Sequence, residues 1–206
     1  MVAIIHHAGN TEKPEAILAA AQKRLGRHGF EKTTMTEIAA DVNLSKASLY
    51  YYFPDKESLW SAVLAKEQNE YFQLVAACMQ DIREPGKMLF AFVKLRHDHF
   101  TSFLNLTKFR FSDFHQIRPH FREMIGNLIS REAEQVTEIL KQGKKSGAFK
   151  IQNPEQTARL FLEILHGLRL IVIRNRPIME LTQEDYDNMF EKHRNFIELF
   201  IQSIRK

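Results

Sequence analysis

One cysteine, eight glycines and six prolines are all that 206 residues hold of the types that cross-link or interrupt a chain. A lone Cys78 excludes an intramolecular disulfide and suits a reducing compartment. Its apolar neighbours Leu74, Val75, Ala76 and Ala77 mark it as a small buried hydrophobe. No stretch approaches the ~18 consecutive apolar residues that a membrane span needs, and Met1–Gly9 has too few apolar residues for a secretory segment. The expectation is a soluble, cytoplasmic protein. Catalytic motifs are absent too: there is no Gly-rich phosphate loop, no G-x-S-x-G, no H-E-x-x-H and no Cys–His pair, so nothing points to an enzyme. His97, His99, His115 and His120 are close in sequence, but His97 and His99 stand about 200° apart on a helix and cannot share a metal. No metal and no cofactor is expected.

What is present is helical spacing. Apolar residues make up 44% of the chain and charged residues 26%, enough to bury a core, and the formal charge of +4 is mildly basic. Apolar positions recur at three and four, not two, and about nine helices account for the chain. The first runs from Pro14 to His28, with Ile17, Leu18, Ala21 and Leu25 inward and Gly29 as its stop. Thr34 and Glu37 form a capping box for a short helix ending near Val42, and Ser45 caps another through Tyr52. Asp55 caps a long helix from Lys56 to about Met79, with Leu59, Val63, Tyr71, Leu74, Val75 and Cys78 inward. Further helices are expected over Met88–Phe103, in one or two pieces over Leu104–Phe114, from Pro119 to about Gly143, from Pro154 to Arg174, and from Thr182 to the end. Gly143 and Gly147 should bracket a turn.

The two short helices between Thr34 and Tyr52 have the spacing of a helix-turn-helix, whose second helix enters the major groove of DNA. Ile38, Ala39, Val42, Leu44 and Leu49 supply a small shared core. Lys46, Ala47, Ser48, Tyr50, Tyr51 and Tyr52 are left to face outward, with groups that can donate to phosphates or base edges. Charge over Glu12–Lys56 is nearly balanced, seven basic residues against six acidic, so binding must rest on a few placed groups and on a dimer.

The runs Gly29-Phe30…Thr33-Thr34-Met35-Thr36-Glu37-Ile38-Ala39 and Leu44-Ser45-Lys46-Ala47-Ser48-Leu49-Tyr50-Tyr51-Tyr52-Phe53-Pro54-Asp55-Lys56-Glu57-Ser58-Leu59 resemble the TetR family signature. The likeness covers about residues 14–65; beyond them only length and helical layout are similar. The resemblance implies an all-α protein with an N-terminal three-helix DNA-binding domain (1–56) and a C-terminal helical ligand-binding and dimerisation domain (57–206), the fourth helix linking them. It implies that Ser45, Lys46, Ala47 and Ser48 open the recognition helix, and that Thr34 and Thr36 touch DNA backbone. By the same likeness Lys56 meets a phosphate, and Tyr50 is the more buried tyrosine while Tyr51 and Tyr52 point to DNA. Asn43 and Ala47 replace frequent glycines; asparagine tolerates the left-handed turn, and an alanine methyl suits a thymine methyl.

In the C-terminal part, Phe72, Met79, Phe92, Phe100, Phe103, Phe111, Phe114, Phe121 and Met124 give bulky, adaptable walls for a small hydrophobic or amphipathic effector. Polar anchors are sought in His166 and Arg169, and also in Arg96, His97, Arg110 and His115; an arginine there would favour an anionic ligand. Leu160, Ile164, Leu168 and Ile171, with Phe196, Ile197, Phe200 and Ile204, cover more than one face of the last two helices and read as a homodimer seam. The resulting reading is a regulator, most simply a repressor, that binds a palindromic operator as a dimer and is released by its effector through movement of the fourth helix. The rivals are a helical enzyme or carrier, and a partner-binding protein without ligand response.

Overall fold

The computed structural model describes residues 12–102, 119–173 and 181–206. Their secondary structure is helical: α1 (Glu12–Lys32), α2 (Met35–Asp41), α3 (Lys46–Tyr52), α4 (Lys56–Asp81), α5 (Pro85–Ser102), α6 (Pro119–Lys145), α7 (Pro154–Ile173) and α8 (Gln183–Ile204). The all-α expectation holds. The short helices expected over 104–114 lie outside the described residues. The chain divides into two compact units, Met1–Glu67 and Gln68–Lys206, and α4 contributes to both.

In the first unit, α1 buries Ile17, Ala21 and Leu25, a stripe spaced by four. Gly29 interrupts it at φ 79° and ψ 171°, a backbone state that L-residues with a side chain rarely adopt. The stop therefore falls on the glycine, and the last turn beyond it is held by the Thr33 hydroxyl, which donates to the Gly29 carbonyl at 2.8 Å. α2 opens with the full capping box: the Glu37 N–H donates to Thr34 Oγ1 at 3.3 Å, and the Thr34 N–H donates to Glu37 Oε2 at 2.9 Å. Asn43 takes the left-handed conformation (φ 54°), and the Leu44 N–H closes the turn on the Ala39 carbonyl at 2.9 Å. Ser45 caps α3 through the Ser48 N–H at 3.0 Å, and Asp55 caps α4 through the Ser58 N–H at 2.6 Å.

Along α4 the buried positions are Leu59, Trp60, Val63, Leu64, Glu67, Gln68, Tyr71, Phe72 and Val75. This double stripe advances by four residues where the helix advances by 3.6, so it drifts by about 40° per repeat. By the C-terminal turns it has rotated past Leu74, which is 55% exposed and not inward as its hydrophobicity suggested. Cys78 is only half-buried for the same reason.

The core of the second unit joins Val75, Leu89, Phe92, Val136, Leu140, Phe161, Leu165 and Ile197 from α4 to α8. Gly143 does not begin a turn. α6 runs through it to Lys145, and the chain reverses at Gly147 (φ 76°). The Phe149 ring lies against Gly143, where a Cβ would overlap it. Beyond that turn the Lys150 N–H donates to the Ile204 carbonyl at 2.7 Å, tying residues 148–150 to the end of α8. Asn153 caps α7 (Gln156 N–H to Oδ1, 3.0 Å), and Thr182 with Asp185 forms a second capping box at α8.

Candidate nucleic-acid interface and buried polar core

The angle between α1 and α2 is set by one guanidinium. Arg24 donates from Nε and Nη2 to the two Asp41 oxygens at 2.7 and 2.9 Å, and its Nη1 lies 3.2 Å from Glu37 Oε1. That fork holds the Asp41 carboxyl below its usual range, while hydrogen bonds from Thr34, followed by the Arg24 charge, do the same for Glu37. Ile38, Ala39 and Leu49 are buried between the short helices, and Val42 and Leu44 are half-buried at the turn. Lys56 reaches back to α1. Its ammonium donates to the Phe30 and Thr33 carbonyls at 2.9 and 3.1 Å and sits 4.2 Å from the Phe30 ring, which in turn packs on Trp60. An ammonium has three N–H groups, so these two bonds leave one for a phosphate.

On α3, Leu49 is buried, and Tyr52 and Phe53 follow it at half-burial. Tyr50 is 40% exposed, so it is not the more buried tyrosine; Tyr52, three residues after Leu49, shares the inner side instead. Tyr50 lies on the outer side with Lys46, whose ammonium is 5.8 Å from its ring centre. Tyr51 is 80% exposed, and its edge meets the Tyr52 ring at 5.3 Å. Lys46 and Ala47 are exposed at the first turn, as are Thr34 and Thr36 on α2. Ser45 and Ser48 bond each other at 2.8 Å, and Ser45 also serves as the cap. The frame is thus fastened from beneath while two tyrosines, a lysine and an alanine methyl stand in solvent.

The second unit holds a buried polar core that helices far apart in sequence assemble. Glu132 Oε1 accepts from Arg96 Nε at 2.8 Å and from the Tyr71 hydroxyl at 3.2 Å, and the Tyr71 ring stacks on His99 at 4.4 Å. Burial, with Glu132 adding to it, pushes the Tyr71 hydroxyl well above its ordinary range. Burial lowers His99 to about 4, helped by Arg96. His193 donates Nε2–H to the Leu165 carbonyl at 3.0 Å and is likewise lowered to about 4, chiefly by burial. Arg169 follows Leu165 by one turn of α7; burial and the charge of Arg96 bring it down to about 10.

Phe72 and Phe92 are buried in the core and Met79 is partly buried against it, whereas His166 is exposed. Phe103, Phe111 and Phe114 lie outside the described residues, as do the side chains of Phe100, Phe121 and Met124. Tyr71, His99, Glu132 and His193 were not singled out from sequence as polar anchors. Glu132 carried a signal: it stands in the four-residue stripe Leu128, Glu132, Val136, Leu140, a charge at a core position. Of the seam residues, Leu160 (55%) and Ile171 (62%) are exposed, Ile164 is at 36%, and Leu168 and Ile204 are half-buried. Phe196 and Phe200 pack on Phe161 at 5.5 and 4.8 Å, and Ile197, at 1% exposure, is taken up by the chain's own core and has no surface to offer a second copy. Leu199, which the sequence reading passed over, is 67% exposed. No described helix is long and apolar enough to cross a membrane.

The profile of the family described as bacterial regulatory proteins, tetR family, matches residues 17–63. The chain is 37% identical to a transcriptional regulator of Cytophaga hutchinsonii ATCC 33406 whose crystal structure superposes with a TM-score of 0.87 over 94% of this chain and 99% of that one. It is 27% identical over 162 residues to the HTH-type transcriptional regulator YhgD of Bacillus subtilis (strain 168), spanning 76% of this chain and 82% of that protein. A transcriptional regulator of Saccharomonospora viridis, crystallised in complex with choline, shares the fold at a TM-score of 0.73 and 20% identity over 95% of this chain and 99% of that one.

Proposed function

We propose that this chain, which belongs to the tetR family of bacterial regulatory proteins, represses transcription by binding a palindromic operator as a homodimer and leaves it when a small, largely apolar effector binds. The family is one of DNA-binding regulators, not enzymes. The observation that carries the reading is α3 itself: Lys46, Ala47, Tyr50 and Tyr51 stand exposed on a helix whose other face is fixed by Leu49. A tyrosine left 80% in solvent buries little of its ring in its own fold, and it has the ring and hydroxyl to meet a nucleic-acid backbone.

In this reading residues 1–56 bind DNA and 57–206 sense the effector and dimerise. Lys46, Ala47 and Ser48 meet base edges, with Ser45 opening their helix. Tyr50, Tyr51, Tyr52, Thr34, Thr36 and the remaining N–H of Lys56 meet phosphates. The exposed Leu160, Ile164 and Ile171, joined by Leu168, Phe196, Phe200 and Ile204, supply the seam between copies. A two-fold seam sets the recognition helices about 34–36 Å apart, one turn of DNA. A regulator of the same fold holds choline, which supports a body that accepts small molecules. The effector acts by its difference in affinity between two states, typically about 1–3 kcal/mol.

The test is selection of genomic fragments by the purified protein, with Lys46→Ala/Tyr51→Ala as control. Both side chains are exposed, so the variant keeps its fold. Enrichment of a palindrome by the parent and its loss in the variant is the expected result; no enrichment at low salt would overturn the reading.

A further inference from the structure

We infer that Arg24 is a positioning residue for DNA recognition: its guanidinium grips α2 at both ends and so sets the register in which α3 meets the major groove. This rests on the DNA-binding reading above and adds to it a residue of α1 that acts through α2. The grip is double. Nη1 lies 3.2 Å from Glu37 Oε1 in the first turn of α2, while Nε and Nη2 donate to the two oxygens of Asp41, its last residue, at 2.7 and 2.9 Å. These carboxylates are four residues apart, on one face of the helix and about 6 Å along its axis. Two attachments separated along an axis fix both the tilt and the rotation of a helix, where one would let it swivel. The Arg24 side chain is only 23% exposed, so packing holds the fork in place. Glu37 Oε2 meanwhile accepts from the Thr34 N–H and hydroxyl, so one carboxylate joins α1 to the cap of α2.

α2 needs such a grip. Its seven residues are too few to make a stable helix alone, and its buried side chains are Met35, Ile38 and Ala39. Apolar burial has no direction of its own, and a methyl group offers little to lock against. Asp41 is misplaced for the sake of α2 itself, because a carboxylate in the last turn opposes the helix dipole. It stands where Arg24 reaches it. What α2 does, α3 follows. The Leu44 N–H closes the turn on the Ala39 carbonyl at 2.9 Å, and Leu49 is buried beside Ile38 and Ala39. A small rotation of α2 therefore carries Lys46, Ala47, Tyr50 and Tyr51 with it. Base readout depends on where those groups stand, whereas non-specific attraction to phosphates depends on charge.

The test uses the full chain. The parent selects a duplex from a random-sequence library, and binding to that duplex is compared with binding to a scrambled one of equal composition at about 0.15 M salt. Arg24→Gln should bind the selected duplex about tenfold more weakly and the scrambled one within about twofold of the parent. Arg24→Lys keeps the charge without the fork and should fall between. Arg24→Glu/Asp41→Arg turns the tie around at constant net charge, with one guanidinium still between two carboxylates, and should recover most of the loss. Urea unfolding followed at Trp60 shows that each variant is folded under the conditions of the assay. Equal weakening on both duplexes, unchanged binding by Arg24→Gln, or a reversed pair that binds no better than Arg24→Gln would overturn the inference. If Arg24→Gln fails to fold, a parent-like ratio of selected to scrambled binding in Arg24→Lys would overturn it instead. A parent that selects no duplex defeats the DNA-binding reading and this inference with it. A parent that selects one which Arg24→Gln binds equally well defeats this inference alone.

Discussion

Gly143 and Gly126 lie on the same helix and have opposite reasons to be glycine. The Phe149 ring, itself buried, occupies the place of a Gly143 side chain, whereas nothing lies within 4 Å of a Cβ at Gly126. Gly126→Ala should therefore stabilise by about 0.5–1 kcal/mol, the usual helix gain. Gly143→Ala makes the same gain but must displace the ring, and the net should be a loss of about 1–2 kcal/mol. Thermal unfolding followed by circular dichroism gives the two signs, and a gain at both positions would mean that the Phe149 ring yields freely. The residue scale is where the sequence was hardest to read. Tyr50, Tyr51 and Tyr52 are identical in type, and only the position of Leu49 decides that Tyr52 turns inward and Tyr50 outward. Leu74 is as hydrophobic as any core residue, yet the drift of the α4 stripe leaves it exposed.

At the scale of the element the sequence was far more legible, because a helix start is a local event. Thr34, Ser45 and Asp55 each cap the helix expected of them, and Asn153 and Thr182 cap the last two, since in each case the oxygen and the N–H it satisfies are only three residues apart. The pair that matters most is Thr34 and Glu37, which fixes the start of α2 while Arg24 fixes its angle. Thr34→Ala removes the side-chain acceptor of the Glu37 N–H and the hydroxyl bond to Glu37 Oε2, at a cost of about 1 kcal/mol. Trp60, the chain's one tryptophan, is buried against Phe30 in the same unit, so its fluorescence reports this change directly. Urea unfolding followed at Trp60 should show the loss, and Thr34→Ser should restore it. Equal midpoints for all three proteins would mean that the box contributes nothing net. What local signals could not supply was the buried polar core, where Tyr71, Arg96, Glu132, Arg169 and His193 come from five helices and no short motif joins them. Arg96 and Arg169 were visible as candidates; their carboxylate was not.

The polar core also sets how the whole molecule answers acid. In the folded chain His99 and His193 are held near 4 by burial, while in the unfolded chain they titrate near the ordinary 6.5. Between those values the unfolded state binds more protons, so stability is full above about 6.5 and falls as pH drops toward 4. A tenfold difference in proton affinity between the two states is worth about 1.4 kcal/mol, so the gap from 6.5 to about 4 sets a ceiling of about 3.5 kcal/mol per ring. Glu37 and Asp41, held below the ordinary carboxylate range by Thr34 and Arg24, lose their contribution in the same direction, but only in more acidic solution. The span from about 6.5 to 5 therefore isolates the histidines. His99→Phe keeps a ring against Tyr71, and His193→Gln keeps a donor for the Leu165 carbonyl; neither replacement titrates. The unfolding free energy of the parent should fall across that span, and that of the double variant should fall less steeply, the remaining slope coming from His97 and His166, which burial also lowers. A parent curve without slope between 6.5 and 5 would mean that solvent reaches both rings and that they titrate as ordinary imidazoles in the folded chain.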